Sequence, residues 1–139
     1  MKSLRPFHLA IPVQDLKKAQ EFYGNLLNCQ QGRSSTQWID YNFFGHQLVV
    51  HLDDNIKPKS FNAIDGKHVP IPHFGLVLDW QDWQLMKAKL EAVHIDFIIK
   101  PYVRFEGEVG EQATMFFLDP SDNALEFKAF KNIDQLFAH

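Results

Sequence analysis

Seven histidines occur in 139 residues, against a single cysteine, Cys29. One thiol makes neither an internal disulfide nor a thiolate zinc site, so any metal chemistry must rest on imidazole and carboxylate. Two histidines stand early in apolar runs that read as strands, His8 in FHLAIPV and His73 in HFGLVL. Two further ligand-type residues interrupt the last apolar run of each half, His51 in LVVHLDD and Glu126 in ALEFKAF, and these four slots are related to one another by an internal repeat. Neutral imidazoles with one carboxylate suit Fe(II), Mn(II), Zn(II) or Ni(II), and two His plus one carboxylate leave positions open for substrate or oxygen. A divalent cation would also compensate the charge of a buried Glu126. The plainer readings are a rim histidine at each His, and a Glu126 facing solvent beside Lys128, which shares its strand parity.

The elements that must carry these residues follow from periodicity and turn chemistry. Phe7–Val13 reads as a strand closed by Pro12. Asp15 is a candidate N-cap for a helix whose apolar positions, Leu16, Ala19, Phe22, Tyr23, Leu26 and Leu27, recur at 3–4 spacing. Trp38–Phe44 and Leu48–Leu52 read as strands on either side of a Gly45-His46 turn. Asp53 to Pro72 lacks periodicity and contains Pro58, Gly66, Pro70 and Pro72, which predicts a linker. The order then recurs. His73–Leu78 is a strand, and Asp79 or Asp82 can cap a helix presenting Trp83, Met86, Leu90 and Val93 on one face. Ile95–Ile99 is a strand ended by Pro101, and Thr114–Leu118 is another. Asp119-Pro120-Ser121-Asp122-Asn123 is a turn, with Pro pre-setting φ and Asn tolerating φ > 0. Ala124–Phe130 is the closing strand.

Sliding one half onto the other lays Phe7-His8-Leu9 on Pro72-His73-Phe74, which makes the chain an internal repeat. Module one spans about 5–53, the linker about 54–71, module two about 72–130 and the tail 131–139. Together they make one domain, because a module of half this length is marginal alone.

Lys and Arg total 14 against 17 Asp and Glu, a net charge of −3. Without a basic excess to follow a phosphate backbone, nucleic acid is not an expected partner. No window reaches the run of about 18 apolar residues that a membrane span requires. The opening MKSLRPFHLAIPVQDL is too polar to read as a signal peptide. A cytoplasmic location is expected.

FFLDPSDNALEF resembles the closing motif, and FHLAIPVQDLKKAQEFYGNLL the opening strand–helix motif, of the vicinal oxygen chelate superfamily. That superfamily includes glyoxalase I, fosfomycin- and bleomycin-resistance proteins and type I extradiol dioxygenases. The segment PYVRFEGEVGEQATMFFLDPSDNALEFKAF looks most similar to a small bacterial subgroup described as predicted extradiol-type dioxygenases. The resemblance covers roughly residues 5–130. It implies an α+β fold of two tandem βαβββ modules forming a curved, open mixed sheet around a divalent metal. His8, His73 and Glu126 then match the metal ligands. His51 falls where glyoxalase I has a glutamate, and is expected as a fourth ligand or an acid–base group. The ring-cleaving enzymes use a further His and Tyr before the closing Glu, where this chain has Thr114-Met115-Phe116-Phe117.

The resemblance thus implies a metal-dependent enzyme, with Fe(II) or Mn(II) expected ahead of Zn(II) or Ni(II), that chelates vicinal oxygens of a small-molecule substrate, with or without dioxygen. The alternatives are a metal-free, ligand-sequestering binding protein of the bleomycin-resistance kind, and a thiol transferase or isomerase. Tyr102, Arg104, Glu111 and Gln112 are the expected substrate-binding residues, Arg104 through its bidentate guanidinium. A homodimer is expected, as is common in the superfamily.

Overall fold

A computed structural model describes residues 4–55 and 60–139. Residues 1–3, which open the N-terminal segment, and 56–59, which include Pro58 of the expected linker, lie outside the described residues. Two compact units are present. Among the described residues, one comprises 4–55 with the turn Asp119–Asn123, the other 60–118 with 124–139.

The first unit begins with β1 (His8–Val13), whose Ile11 and Val13 are buried. Asp15 caps the helix that follows, accepting a hydrogen bond from the Lys18 amide at 3.0 Å. The predicted helix forms, but only Leu16–Ala19 (α1) is α-helical, and Gln20–Leu26 winds as a π-helix. Ala19, Tyr23 and Leu27, four apart, are all buried. The next strands are β2 (Gln30–Ser34), β3 (Trp38–Phe43) and β4 (His46–Leu52). They pair in the order β1-β4-β3-β2, with β1 parallel to β4 and the rest antiparallel.

The expected linker is largely structured. Ser60–Ile64 (β5) and Lys67–Ile71 (β6) form a hairpin around Asp65-Gly66, both at positive φ. An Asp-Gly pair between extended segments favours this turn. Every residue of β5 is exposed, which explains the missing apolar pattern.

In the second unit β7 (His73–Leu78) leads to α2 (Trp80–Ala92), which buries Trp83 and Leu90. The Trp83 indole donates to the Phe127 carbonyl at 2.8 Å. Val93 does not join that face; it is the helix C-cap and is exposed. β8 (Phe97–Arg104), β9 (Gln112–Leu118) and β10 (Ala124–Phe130) complete a sheet ordered β7-β10-β9-β8, again with its first and last strands parallel. Pro101 does not end β8. The strand is outermost and its register is irregular between Ile99 and Tyr102, a place where a missing ladder N–H is tolerated. The two sheets therefore share one strand order, as the repeat requires. Among the described residues no helix is long and apolar enough to cross a membrane.

Candidate functional site

In the second unit His73 pairs with Ala124 and Gly75 with Glu126. His73 and Glu126 therefore sit diagonally on neighbouring strands and on the same face. Phe116, the register partner of Glu126 on β9, stands edge-on to the His73 ring with centroids 5.0 Å apart. The opposite face of β10 carries Phe127 and Leu125, fully buried. Burial of that face against α2 is what turns Glu126 the other way.

His73 Nδ1 lies 2.7 Å from the Pro70 carbonyl. A carbonyl only accepts, so Nδ1 carries the proton and donates, leaving the Nε2 lone pair of the neutral ring as the acceptor. The same arrangement recurs in the first unit, where His8 Nδ1 is 2.8 Å from Gln47 Oε1, its register neighbour on β4. Holding one ring nitrogen on an acceptor fixes the tautomer in the way that metal-ligating histidines are oriented.

Glu126 already has a partner. Lys128 Nζ lies 3.0 Å from Glu126 Oε1, with the carboxylate side chain only 11% exposed. Gly75 shapes the backbone there, because a Cβ built on it would overlap the Glu126 carbonyl, at 2.6 Å from its carbon.

His51 is not the counterpart of Glu126. Its register partner is Pro12, four residues beyond His8, or about 13 Å along the strand. The position of β4 that corresponds to Glu126, two residues past the partner of the strand's histidine, holds Val49. His51 thus shares a face with His8 but lies too far along it for both rings to reach one ion. Among the described residues no group of three or more His, Cys, Asp or Glu side chains is placed to hold a metal; the second unit contributes the pair His73 and Glu126. His46 has a structural task, its Nδ1 accepting from the Phe7 amide at 2.8 Å.

The four expected substrate contacts divide. Tyr102 and Arg104 both donate to Asp65 Oδ2, the hydroxyl at 3.0 Å, and Lys67 Nζ lies over the Tyr102 ring at 4.7 Å. Arg104 is thus already paired with the hairpin turn. Its guanidinium holds the Asp65 carboxyl below the usual range. Burial, then the Asp65 bond, push the Tyr102 phenol up. Glu111 lies in the loop before β9 and accepts from the Gly107 amide at 2.8 Å. Gln112 donates to the Gly110 carbonyl at 3.3 Å. Both shape the loop.

Asp65 went unmarked in the sequence, although the Asp-Gly dipeptide was its signal. Lys128 entered only as a reason to turn Glu126 toward solvent. Asp119 is the turn former expected of it. Buried in the first unit, its carboxylate accepts from the Tyr23 hydroxyl, the Ser121 and Asn123 amides and the Asn123 side chain at 2.7–2.9 Å.

Residues 5–127 match the Glyoxalase family, described as the Glyoxalase/Bleomycin resistance protein/Dioxygenase superfamily. Among solved structures, the chain is similar to a glyoxalase/bleomycin resistance protein/dioxygenase from Alicyclobacillus acidocaldarius, with 33% identity, 96% of each chain covered and a TM-score of 0.80. It shares its fold with the fosfomycin resistance protein FosX from Listeria monocytogenes (16% identity, 97% of this chain and 98% of that one, TM-score 0.71). The same holds for a lactoylglutathione lyase from Agrobacterium tumefaciens (17% identity, 99% and 98%, TM-score 0.67). No curated protein sequence matches the chain.

Proposed function

The chain belongs to the Glyoxalase/Bleomycin resistance protein/Dioxygenase superfamily, and from that membership we propose that it is a divalent-metal-dependent enzyme acting on a small molecule with vicinal oxygens. His73 and Glu126 are the donors of the second unit and His8 that of the first. The reading is carried by the matched orientation of the two histidines, each with Nδ1 committed to an acceptor and Nε2 available. The set of two imidazoles and one carboxylate fits Fe(II) or Mn(II), with Zn(II) and Ni(II) as further candidates. When bound, such an ion supplies Lewis acidity toward the two substrate oxygens, and with Fe(II) an affinity for dioxygen.

The chain's own residues do the rest. Pro70 and Gln47 keep the imidazoles in the ligating tautomer. Phe116 fixes the His73 ring plane and supplies an apolar wall. Glu126, held in an ion pair with Lys128, would supply the carboxylate to a bound ion. His51, distant along the sheet from His8, is left with an acid–base role rather than ligation. A homodimer in the cytoplasm accompanies this reading.

A second reading is favoured by one observation. Lys128 compensates Glu126 without any metal, as a metal-free, ligand-sequestering protein would require. Anaerobic reconstitution with Fe(II) or Mn(II), elemental analysis and an oxygen-uptake screen over catechols and related diols separate the two. Stoichiometric uptake lost in His73→Ala and Glu126→Ala supports the enzyme. Negligible uptake, or uptake unchanged in both variants, overturns it in favour of the binding protein.

A further inference from the structure

Among the described residues the β5–β6 hairpin pairs with no other strand and stands as a two-stranded sheet. An isolated hairpin is marginal in water, so side chains must hold it in place within the second unit. At its tip Asp65 accepts from Arg104 and Tyr102 of β8, and Lys67 lies over the Tyr102 ring. At its base Val69 and Pro70 are buried, with Val69 packed in a cluster with Ile99 and Phe116. The ion pair at the tip is partly exposed, Arg104 at 23% and Asp65 at 39%, so it is a fastening that opens at small cost.

The base of the hairpin is also where it meets His73. The Pro70 carbonyl accepts from His73 Nδ1, and Phe116, in the cluster with Val69, is the ring standing edge-on to the imidazole. Both restraints on His73 therefore involve β6. Swinging the hairpin away would remove the carbonyl and loosen Phe116. The ring proton would then be free to settle on Nε2, the nitrogen that must stay bare to ligate. We propose that Asp65 is a positioning residue for His73: by fastening the hairpin tip to Arg104 and Tyr102 it keeps β6 seated and the imidazole in its ligating tautomer. Its consequence for metal uptake rests on the metal reading above, whereas the positioning itself does not.

The test uses the full chain, metal-free and isotope-labelled at its histidine nitrogens. Imidazole nitrogen shifts in mildly alkaline solution report each tautomer, and hydrogen exchange at the β6 amides reports seating. Wild type is compared with Asp65→Ala, Asp65→Asn and Gly66→Ala. Gly66 has φ 72° and open space where a Cβ would stand, so alanine strains the turn without touching Arg104. Exchange at β6 should rise about fivefold in Asp65→Ala and about tenfold in Gly66→Ala. In both, His73 should shift from the Nδ1–H toward the Nε2–H form, while His8 of the first unit stays unchanged. Asp65→Asn keeps an acceptor for Tyr102 and should fall between. Faster β6 exchange with the His73 tautomer unchanged overturns the positioning role, as does unchanged exchange in Asp65→Ala or a shift of His8 in parallel. Mn(II) affinity should fall several-fold in Asp65→Ala. Absence of Mn(II) uptake by the wild type overturns the metal reading and leaves the tautomer result standing.

Discussion

The Tyr23 hydroxyl donates to Asp119 Oδ2 at 2.7 Å, joining residues 96 positions apart inside the first unit. Burial, reinforced by the Asp119 charge, drives the Tyr23 phenol well above its usual range. Asp119 then organises the closing motif, while Asn123 donates to the Pro12 carbonyl at 2.8 Å and Ser121 Oγ accepts from the Gln14 amide at 2.9 Å. The motif's polar residues thus act as a clamp on the end of β1.

Removing the two partners should cost unequally. Tyr23→Phe leaves Asp119 with its other donors and should destabilise by about 1–3 kcal/mol, whereas Asp119→Ala strands several buried donors and should cost more. Urea denaturation followed by circular dichroism measures both. Equal costs would mean that the carboxylate's other bonds contribute nothing.

Alkali should attack the first unit. Tyr41, buried and near Cys29, has its phenol pushed up to about 12 from 10.0. A raised folded-state value means stability that is complete below pH 10 and is lost as the pH climbs toward 12. Tyr41 Oη is also buried with no hydrogen-bond partner among the described residues, so Tyr41→Phe should be neutral or stabilising at pH 7 and should flatten the loss above pH 10. A marked destabilisation at neutral pH would contradict this.

Acid should act on the hairpin turn. Arg104 lowers the Asp65 carboxyl from its ordinary 3.8. That contribution is present above the ordinary value and fades as the pH falls through the lowered one. Hydrogen exchange at β8 and β6 should rise in that acid range, and Asp65→Asn should abolish the pH dependence.

Gly75→Ala should disturb Glu126 without touching its side chain. The new methyl meets backbone rather than a flexible side chain, so a loss of about 1–3 kcal/mol is expected, together with weakened Mn(II) uptake. Unchanged stability with normal uptake would show that β7 accommodates the methyl freely.

His51→Ala should leave metal uptake intact while His8→Ala diminishes it, because the register separates the two along the strand. Equal losses would restore His51 to the ligand set.

Much of this architecture could be read in the chain because it rests on local chemistry. His73–Leu78 and Ala124–Phe130 alternate or run apolar and are bounded by breakers, so their limits emerge residue by residue. β2 and β5 are exposed throughout and leave no apolar trace. Pro101 misled because its effect depends on being at a sheet edge, which composition does not reveal. The candidate residues divide in the same way. His8, His73 and Glu126 were visible as polar residues in apolar runs. The pairing of Lys128 with Glu126, the bond from Arg104 to Asp65 and the four-residue offset of His51 from His8 all depend on register and on a hairpin, relations that no local window contains.

The parallel pairing of β7 with β10 has a consequence during synthesis. His73 opens a strand whose sheet neighbour is the last strand of the module. As the ribosome extends the chain from residue 78 to 124, that strand waits with no sheet partner. Any chain released before Ala124 would hold His73 without Glu126, so truncated translation products of this protein should be devoid of the second unit's donor pair.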